Sequence, residues 1–198
     1  KPTNLTLAKE KIYAADAAQK TIYRIDLTSK LITSINLDNQ NIGRLDFPNL
    51  DKNNNLYFLN SNNIIILDAK TEKPSSLELD YSGNLQKVID LKQYNGRFYL
   101  ADAAKGQIYR FTASGNKLTN STAWLNSQED LSKVTGLAID GNVYLLKNNG
   151  EILKYAKGKR QDFTKAVIEP ALSQATKITI SADQNYFYIL EPVNKRLV

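Results

Sequence analysis

The 198-residue chain contains no cysteine, no histidine and no methionine. Without cysteine there is no disulfide framework and no thiolate nucleophile. With histidine missing as well, the usual zinc-ligand sets are out of reach. Catalytic dyads and triads that move protons through imidazole are excluded on the same ground. The missing thiols leave the compartment open, because they show only that no disulfide is needed. No stretch approaches the ~18 consecutive apolar residues of a membrane-spanning helix, so no direct membrane insertion is expected. Residues 1–10 are polar and lack the apolar segment of a signal peptide. The first residue is Lys1, and the chain reads as processed or excised from something longer. The nine glycines form no phosphate-cradling loop and no dinucleotide fingerprint.

What is present points to a globular domain. Hydrophobic residues make up 42% of the chain, with charges spread along it, which is unlike a disordered composition. The formal net charge is +6. An excess of that size mildly favours anionic partners but is small for a dedicated nucleic-acid binder. The densest basic run, Lys157-Gly-Lys-Arg160, reads as a solvated turn, and no specific nucleic-acid binding is expected.

The main signal is a repeat. Short aromatic runs recur: Lys-Ile-Tyr-Ala-Ala-Asp at 11–16, Leu-Tyr-Phe-Leu-Asn at 56–60, Phe-Tyr-Leu-Ala-Asp at 98–102, Val-Tyr-Leu-Leu-Lys at 143–147 and Phe-Tyr-Ile-Leu-Glu at 187–191. Their tyrosines, Tyr13, Tyr57, Tyr99, Tyr144 and Tyr188, are spaced by 44, 42, 45 and 44 residues. After each comes a small or polar turn and then a second apolar run, such as Thr-Ile-Tyr-Arg-Ile-Asp at 21–26 or Gln-Ile-Tyr-Arg-Phe-Thr at 107–112. Runs of this length, rich in Ile, Tyr, Phe and Val and bounded by Gly, Asn, Asp or Ser, are strands and hairpins. In the clearest copy four strand-sized segments are expected, at Lys133–Ile139, Asn142–Leu146, Glu151–Ala156 and Asp162–Ile168, with a tight turn at Asn149-Gly150. Pro170–Thr176 reads as a connecting loop or short turn.

Four short antiparallel strands per ~40–45 residues describe a propeller blade. The expected fold is an all-β β-propeller forming one domain over residues 1–198, with blades at about 4–38, 42–80, 85–129, 131–169 and an incomplete 175–198. About four and a half blades suit either a five-bladed ring or a fragment of a six- or seven-bladed one. The repeat tyrosines are expected in the core between blades, and Trp124 in packing on an outer strand. The incomplete last blade offers an edge for self-association.

The copy Gly136-Leu-Ala-Ile-Asp-Gly-Asn-Val-Tyr-Leu-Leu146 resembles the NHL repeat, and Glu191-Pro-Val-Asn-Lys-Arg-Leu-Val198 resembles the segment that closes it. Ala101–Arg110 fits the same pattern more loosely. The chain thus resembles NHL-like or YncE-like propellers, a likeness that implies a fold more than an activity. Two copies keep the strand-end aspartate, Asp16 and Asp102; the others carry Asn60, Lys147 and Glu191.

Aligned by blade, the innermost strands open with Arg44, Lys87, Lys133 and Lys177, spaced by 43, 46 and 44 residues, while the first blade has Asn4 there. Four cations at one mouth of a central channel would draw in anions. Arg44 could grip a carboxylate or phosphate with two parallel hydrogen bonds. Against this stands pairing with the rim acids Asp16, Asp102 and Glu191, for instance Lys87 with Asp102 and Lys177 with Glu191. Such exposed pairs contribute only ~0–1 kcal/mol each. Asp51-Lys-Asn-Asn-Asn55 begins like a calcium loop, but Leu56 replaces the required glycine, so a polar turn is expected.

The expected function is a non-catalytic binding or scaffold module with no cofactor. Its expected partner is an acidic protein, an anionic glycan or a phosphate-bearing ligand. Two alternatives stay open. Likeness to the propeller domains of membrane-anchored bacterial proteins implies an extracytoplasmic sensor. Likeness in outline to lactonases implies a metal-dependent hydrolase, whose site would have to be built from Asp16, Asp102, Glu191 and Asn60.

Overall fold

The structure, a computed structural model, describes residues 4–8, 10–37, 40, 42, 45–51, 53–60, 63–68, 70–81, 83–180 and 186–198; Arg44 lies outside them. Every regular element among these residues is a β-strand. The first sheet holds β1 (Asn4–Ala8), β2 (Lys11–Asp16), β3 (Thr21–Asp26) and β4 (Ile32–Asn36), in that spatial order and antiparallel. The second repeats the order with β5 (Asp46–Leu50), β6 (Leu56–Asn60), β7 (Asn63–Leu67) and β8 (Pro74–Leu79). The third comprises β9 (Val88–Tyr94), β10 (Arg97–Asp102), β11 (Gln107–Ser114) and β12 (Lys117–Ala123). The fourth comprises β13 (Val134–Ile139), β14 (Val143–Lys147), β15 (Ile152–Ala156) and β16 (Lys159–Gln161). A three-stranded sheet follows, with β17 (Lys177–Ile180), β18 (Phe187–Glu191) and β19 (Arg196–Leu197).

The chain divides into two compact units: Lys1–Tyr81 with Asn95–Arg97 and Thr112–Asn120, and Ser82–Tyr94 with Phe98–Phe111 and Ser121–Val198. Within the first unit, β8 runs parallel to the start of β12, with Lys117 opposite Glu78 and Leu118 opposite Leu79.

Turn chemistry sets the hairpins. Asn95-Gly96 joins β9 to β10 and Lys157-Gly158 joins β15 to β16, all four residues having positive φ of 47°, 73°, 50° and 80°. Two left-handed residues in succession give a tight turn whose twist matches that of the flanking strands. This turn moves the fourth strand of the fourth sheet. Sequence spacing places it at Asp162–Ile168, whereas the two-residue turn brings Lys159–Gln161 directly back along β15, and residues 162–168 form no strand. The loop expected at Pro170–Thr176 contains no helix.

Alternation along each strand gives every sheet two apolar faces, and the faces stack by one rule. In the first unit, Tyr13, Ala15 and Ile22 of the first sheet pack on Leu56, Phe58, Ile65 and Leu67 of the second. In the second unit, Tyr99, Ala101 and Ile108 pack on Leu137, Val143, Leu145, Leu153 and Tyr155. Ala138, Tyr144, Leu146 and Ile152 pack in turn on Ile178 and Ile189. In each case the tyrosine-bearing face of one sheet lies on the opposite face of the next. Each Leu, Ile or Phe side chain enclosed this way contributes about 1.5–3 kcal/mol of hydrophobic stabilisation. Tyr13, Tyr57, Tyr99 and Tyr144 are buried, while Tyr188 is exposed. Trp124 follows β12 and meets Tyr99 edge-on, with ring centroids 6.2 Å apart.

Candidate functional site

The strand-end position of the repeat is an anchor inside the protein rather than an open rim. Asp16, Asp102 and Glu191 are all buried, as is Asn60. A buried carboxylate needs partners for its oxygens. Asp102 finds them in backbone N–H groups: Lys87 at 3.1 Å, Ala104 at 3.0 Å and Lys105 at 3.3 Å donate to Oδ1, and Gln86 at 2.8 Å donates to Oδ2. It therefore ties the turn after β10 to the segment entering β9. Glu191, one methylene longer, accepts the N–H groups of Ser173 at 2.6 Å and Gln174 at 2.9 Å. Its other oxygen takes Arg196 Nε at 2.5 Å. The Gln174 N–H, the Asn194 side chain, the Ser173 N–H and the Arg196 side chain hold the Glu191 carboxyl well below the usual carboxylate range, against the opposing effect of burial. Asp16 accepts the Gln19 N–H at 3.1 Å.

The expected partnership of Lys87 with Asp102 is thus a main-chain one: the carboxylate holds the Lys87 N–H while the Lys87 side chain is exposed. Glu191 likewise pairs with Arg196 across its own hairpin.

Of the three expected cations among the described residues, Lys87 and Lys133 share one structural register and Lys177 does not. The Lys87 carbonyl accepts the N–H of Ala103 at 2.9 Å, and the Lys133 carbonyl accepts that of Asn148 at 2.9 Å. Ala103 and Asn148 each stand four residues after a repeat tyrosine, so Lys87 and Lys133 occupy equivalent points, and both side chains are exposed. Lys177 instead lies inside β17, opposite Leu190, which is two residues after Tyr188. The equivalent of Leu190 in the fourth sheet is Leu146, which faces Gly136. The cause is the length of the connection, six residues between the paired Ile180 and Phe187 against three between Ile139 and Val143, a shift that the β-bulge between Val134 and Gly136 offsets by one residue only. Equal spacing along the sequence therefore puts Lys177 within the sheet, and Lys133 before it. Near Lys133, Asp130 is held below its ordinary value by the Ser132 hydroxyl and N–H, with Lys147 and Lys133 adding attraction.

Two polar positions of this region escaped the sequence reading. Asp90, buried in β9, accepts the N–H of Leu137 in β13 at 3.1 Å and meets Lys92 Nζ at 3.3 Å. Gln107, also buried, accepts the N–H groups of Ile108 and Leu125, each at 2.8 Å, and donates to the Leu125 carbonyl. The available signal was a polar residue interrupting an apolar strand pattern, as in Val88-Ile-Asp-Leu91. The Asp51 loop is a polar turn: Asp51 accepts Asn53 N–H at 2.8 Å, Asn55 N–H at 2.9 Å and the Tyr57 hydroxyl at 3.0 Å. Among the described residues no group of three acids, histidines or cysteines could hold a metal ion.

No family model matches this chain, and no curated protein matches it in sequence. Solved structures do. A structural-genomics protein of unknown function from Bacteroides thetaiotaomicron aligns with a TM-score of 0.70 at 20% identity, over 96% of this chain and 56% of its own. Virginiamycin B lyase from Staphylococcus aureus aligns at 0.62 and 15% identity, over 99% of this chain and 65% of its own. A catalytically inactive form of that lyase with one histidine replaced by alanine, bound to quinupristin, aligns at 0.62 and 16% identity, over 98% of this chain and 64% of its own. This chain therefore spans less than two thirds of the length of these structures. The likeness establishes the fold, a β-propeller built from four-stranded antiparallel blades.

Proposed function

We propose that this propeller chain is a non-catalytic binding module that meets an anionic ligand or an acidic protein surface at Lys87 and Lys133. The observation that carries this reading is the common anchoring of the two lysines. Each is exposed, and each carbonyl is held by the residue four places after a repeat tyrosine. The acid nearest in the repeat, Asp102, has its oxygens on backbone N–H groups and so leaves the Lys87 ammonium to solvent. Two cations pinned at equivalent points of neighbouring blades suit a ligand with spaced negative charges, such as an acidic peptide, a sulfated or carboxylated glycan, or polyphosphate. Arg44 extends the series by spacing.

The non-catalytic part of the reading is supported by composition. In the S. aureus lyase, loss of one histidine accompanies loss of catalysis; none of the 198 residues here is histidine. The finer family assignment, NHL-like or YncE-like, rests on Gly136–Leu146 and Glu191–Val198.

The test is a binding screen against polyglutamate, polyphosphate and sulfated glycan at two salt concentrations. The native chain runs beside Lys87→Gln/Lys133→Gln, with Lys177→Gln as the displaced-register control. The expected result is salt-sensitive binding by the native chain and the control, weakened about tenfold, some 1.4 kcal/mol, in the double variant. Identical curves for native chain and double variant would sink the assignment.

A further inference from the structure

The chain carries two Asn-Gly pairs, Asn95-Gly96 and Asn149-Gly150. Each lies in a hairpin turn, the first between β9 and β10 and the second between β14 and β15. An Asn-Gly bond holds a latent reaction between its own two residues. The backbone nitrogen of the glycine can attack the carboxamide carbon of the asparagine, since both are held on one short tether and no Cβ on the glycine crowds the approach. What decides the reaction is how firmly the rest of the turn holds those two groups. The two turns differ in this.

The Asn149-Gly150 turn is tied at both reacting groups. The Gly150 N–H donates to the Lys147 carbonyl at 2.9 Å. Asn149 Oδ1 accepts the Glu151 N–H at 3.1 Å. Gly150 is buried, and a Cβ placed on it would meet Leu172 Cβ at 2.5 Å. The preceding residue is held too, the Asn148 N–H by the Lys133 carbonyl at 2.9 Å and the Asn148 carbonyl by the Ala175 N–H at 2.8 Å. Asn95-Gly96 is tied at neither group. Among the described residues, no hydrogen bond is made by the Gly96 N–H or by the Asn95 side chain. Asn95, Gly96 and Arg97 are all exposed, and a Cβ placed on Gly96 would meet nothing within 4 Å. Both residues have positive φ, in a two-residue turn that leaves the Gly96 N–H outside the strand ladder.

The geometry points to Asn95 as a site of self-modification by deamidation, with the fold exposing one Asn-Gly pair and protecting the other. The Gly96 nitrogen gives up its proton to hydroxide and bonds to Asn95 Cγ. The bond from Cγ to Nδ2 breaks, and ammonia leaves with a proton taken from water, closing a cyclic imide. Water then opens the imide. Attack at Cγ gives aspartate, and attack at the main-chain carbonyl carbon gives isoaspartate, whose backbone runs through Cβ. Water enters and ammonia leaves, so no other reactant is needed. Either product sets a carboxylate beside Arg97 in place of a neutral amide. The isoaspartate also lengthens the turn by one backbone atom, which spoils its match to the twist of β9 and β10. Neither Lys87 nor Lys133 takes part, so the site stands apart from the anion reading.

The test incubates the full chain at mildly alkaline pH, folded in one arm and unfolded in urea in the other. Peptide mass spectrometry that separates aspartate from isoaspartate follows both pairs. In the folded chain Asn149 must wait for local opening, so conversion at Asn95 should be at least about tenfold faster. In urea neither turn persists, and the two rates should converge. Asn95→Gln should abolish the fast conversion in the folded chain and leave that of Asn149 unchanged. Equal rates at the two pairs in the folded native chain would overturn the proposal. The same preference persisting in urea would overturn it as well, because the flanking sequence and not the fold would then be choosing the site.

Discussion

Lys147 Nζ lies 2.9 Å from Glu151 Oε2, and the same hairpin position one repeat later is filled with the charges exchanged, Glu191 Oε2 lying 2.5 Å from Arg196 Nε. In the second sheet a neutral pair stands there, Asn60 Nδ2 donating to Asn63 Oδ1 at 2.7 Å. The strand-end residue looks poorly kept when read alone as Asp, Asn, Asp, Lys and Glu. Read with its partner across the turn, it is a closure whose two members change together. A cation at 147 is tolerated because Glu151 faces it.

That closure makes a reciprocal prediction. Lys147→Glu would set two carboxylates against each other and lower stability by about 1 kcal/mol, given the partial exposure of both groups. Adding Glu151→Lys should restore most of the loss, because the exchanged pair reproduces the polarity of Glu191 and Arg196. Urea titration of the native, single and double variants measures it. No recovery in the double variant would refute the pairing.

Glu191 should make the fold acid-sensitive. Its carboxyl is held below its ordinary value chiefly by the Gln174 N–H, the Asn194 side chain and the Ser173 N–H, so the ionised form stabilises the native state. That contribution is complete above the unfolded value of about 4.3 and is lost as pH falls below it toward the lower native value. Asp26, Asp68 and Asp130 are shifted in the same direction by Ser and Thr donors of their own turns. The melting temperature should therefore be nearly flat near neutrality and fall steeply below about pH 4. Glu191→Gln should be less stable at pH 7 and show a shallower acid slope. An unchanged slope in the variant would be evidence against this role.

Leu146 and Leu190 are the same repeat position with and without cover. Leu146→Ala should cost about 2–5 kcal/mol, as buried leucines do when a cavity is left. Leu190→Ala should change monomer stability by no more than about 0.5 kcal/mol. Denaturation at a concentration where the chain is monomeric compares them. Equal costs would mean that the last sheet is covered within the monomer.

Much of the fold was legible because its period is set by backbone geometry. Each blade needs four short strands and a buried aromatic at one place, so Tyr13, Tyr57, Tyr99 and Tyr144 mark the sheets in the sequence itself. The site was less legible for two physical reasons. The connection before β18 is three residues longer than the one before β14 while the tyrosine spacing is kept, so Lys177 aligns with Lys133 in sequence but not in space. Burial of the strand-end acids depends on backbone N–H donors, such as those of Gln86 and Ser173, which no side-chain pattern announces. Asp90 was missed because its partner, the Leu137 N–H, belongs to another blade.

Asp102 links stability to the proposed binding surface. Its two oxygens accept four N–H groups, one of which belongs to Lys87. Asp102→Ala removes every acceptor, and part of the loss is recovered by water reaching the exposed side of the turn. The expected cost is about 2–3 kcal/mol. Asp102→Asn is isosteric but keeps a single acceptor oxygen. Oδ1 can still serve Lys87, Ala104 and Lys105, while the new NH2 group faces the Gln86 N–H, donor against donor. The asparagine variant should therefore lie between alanine and native in stability. Because Lys87 stays tethered in it, its anion binding should remain close to native, whereas Asp102→Ala should weaken binding under conditions where both are folded. Melting curves and the polyphosphate titration, run on the same two variants, separate these effects. Equal weakening in both would show that the carboxylate charge, and not the tether on the Lys87 N–H, governs the surface.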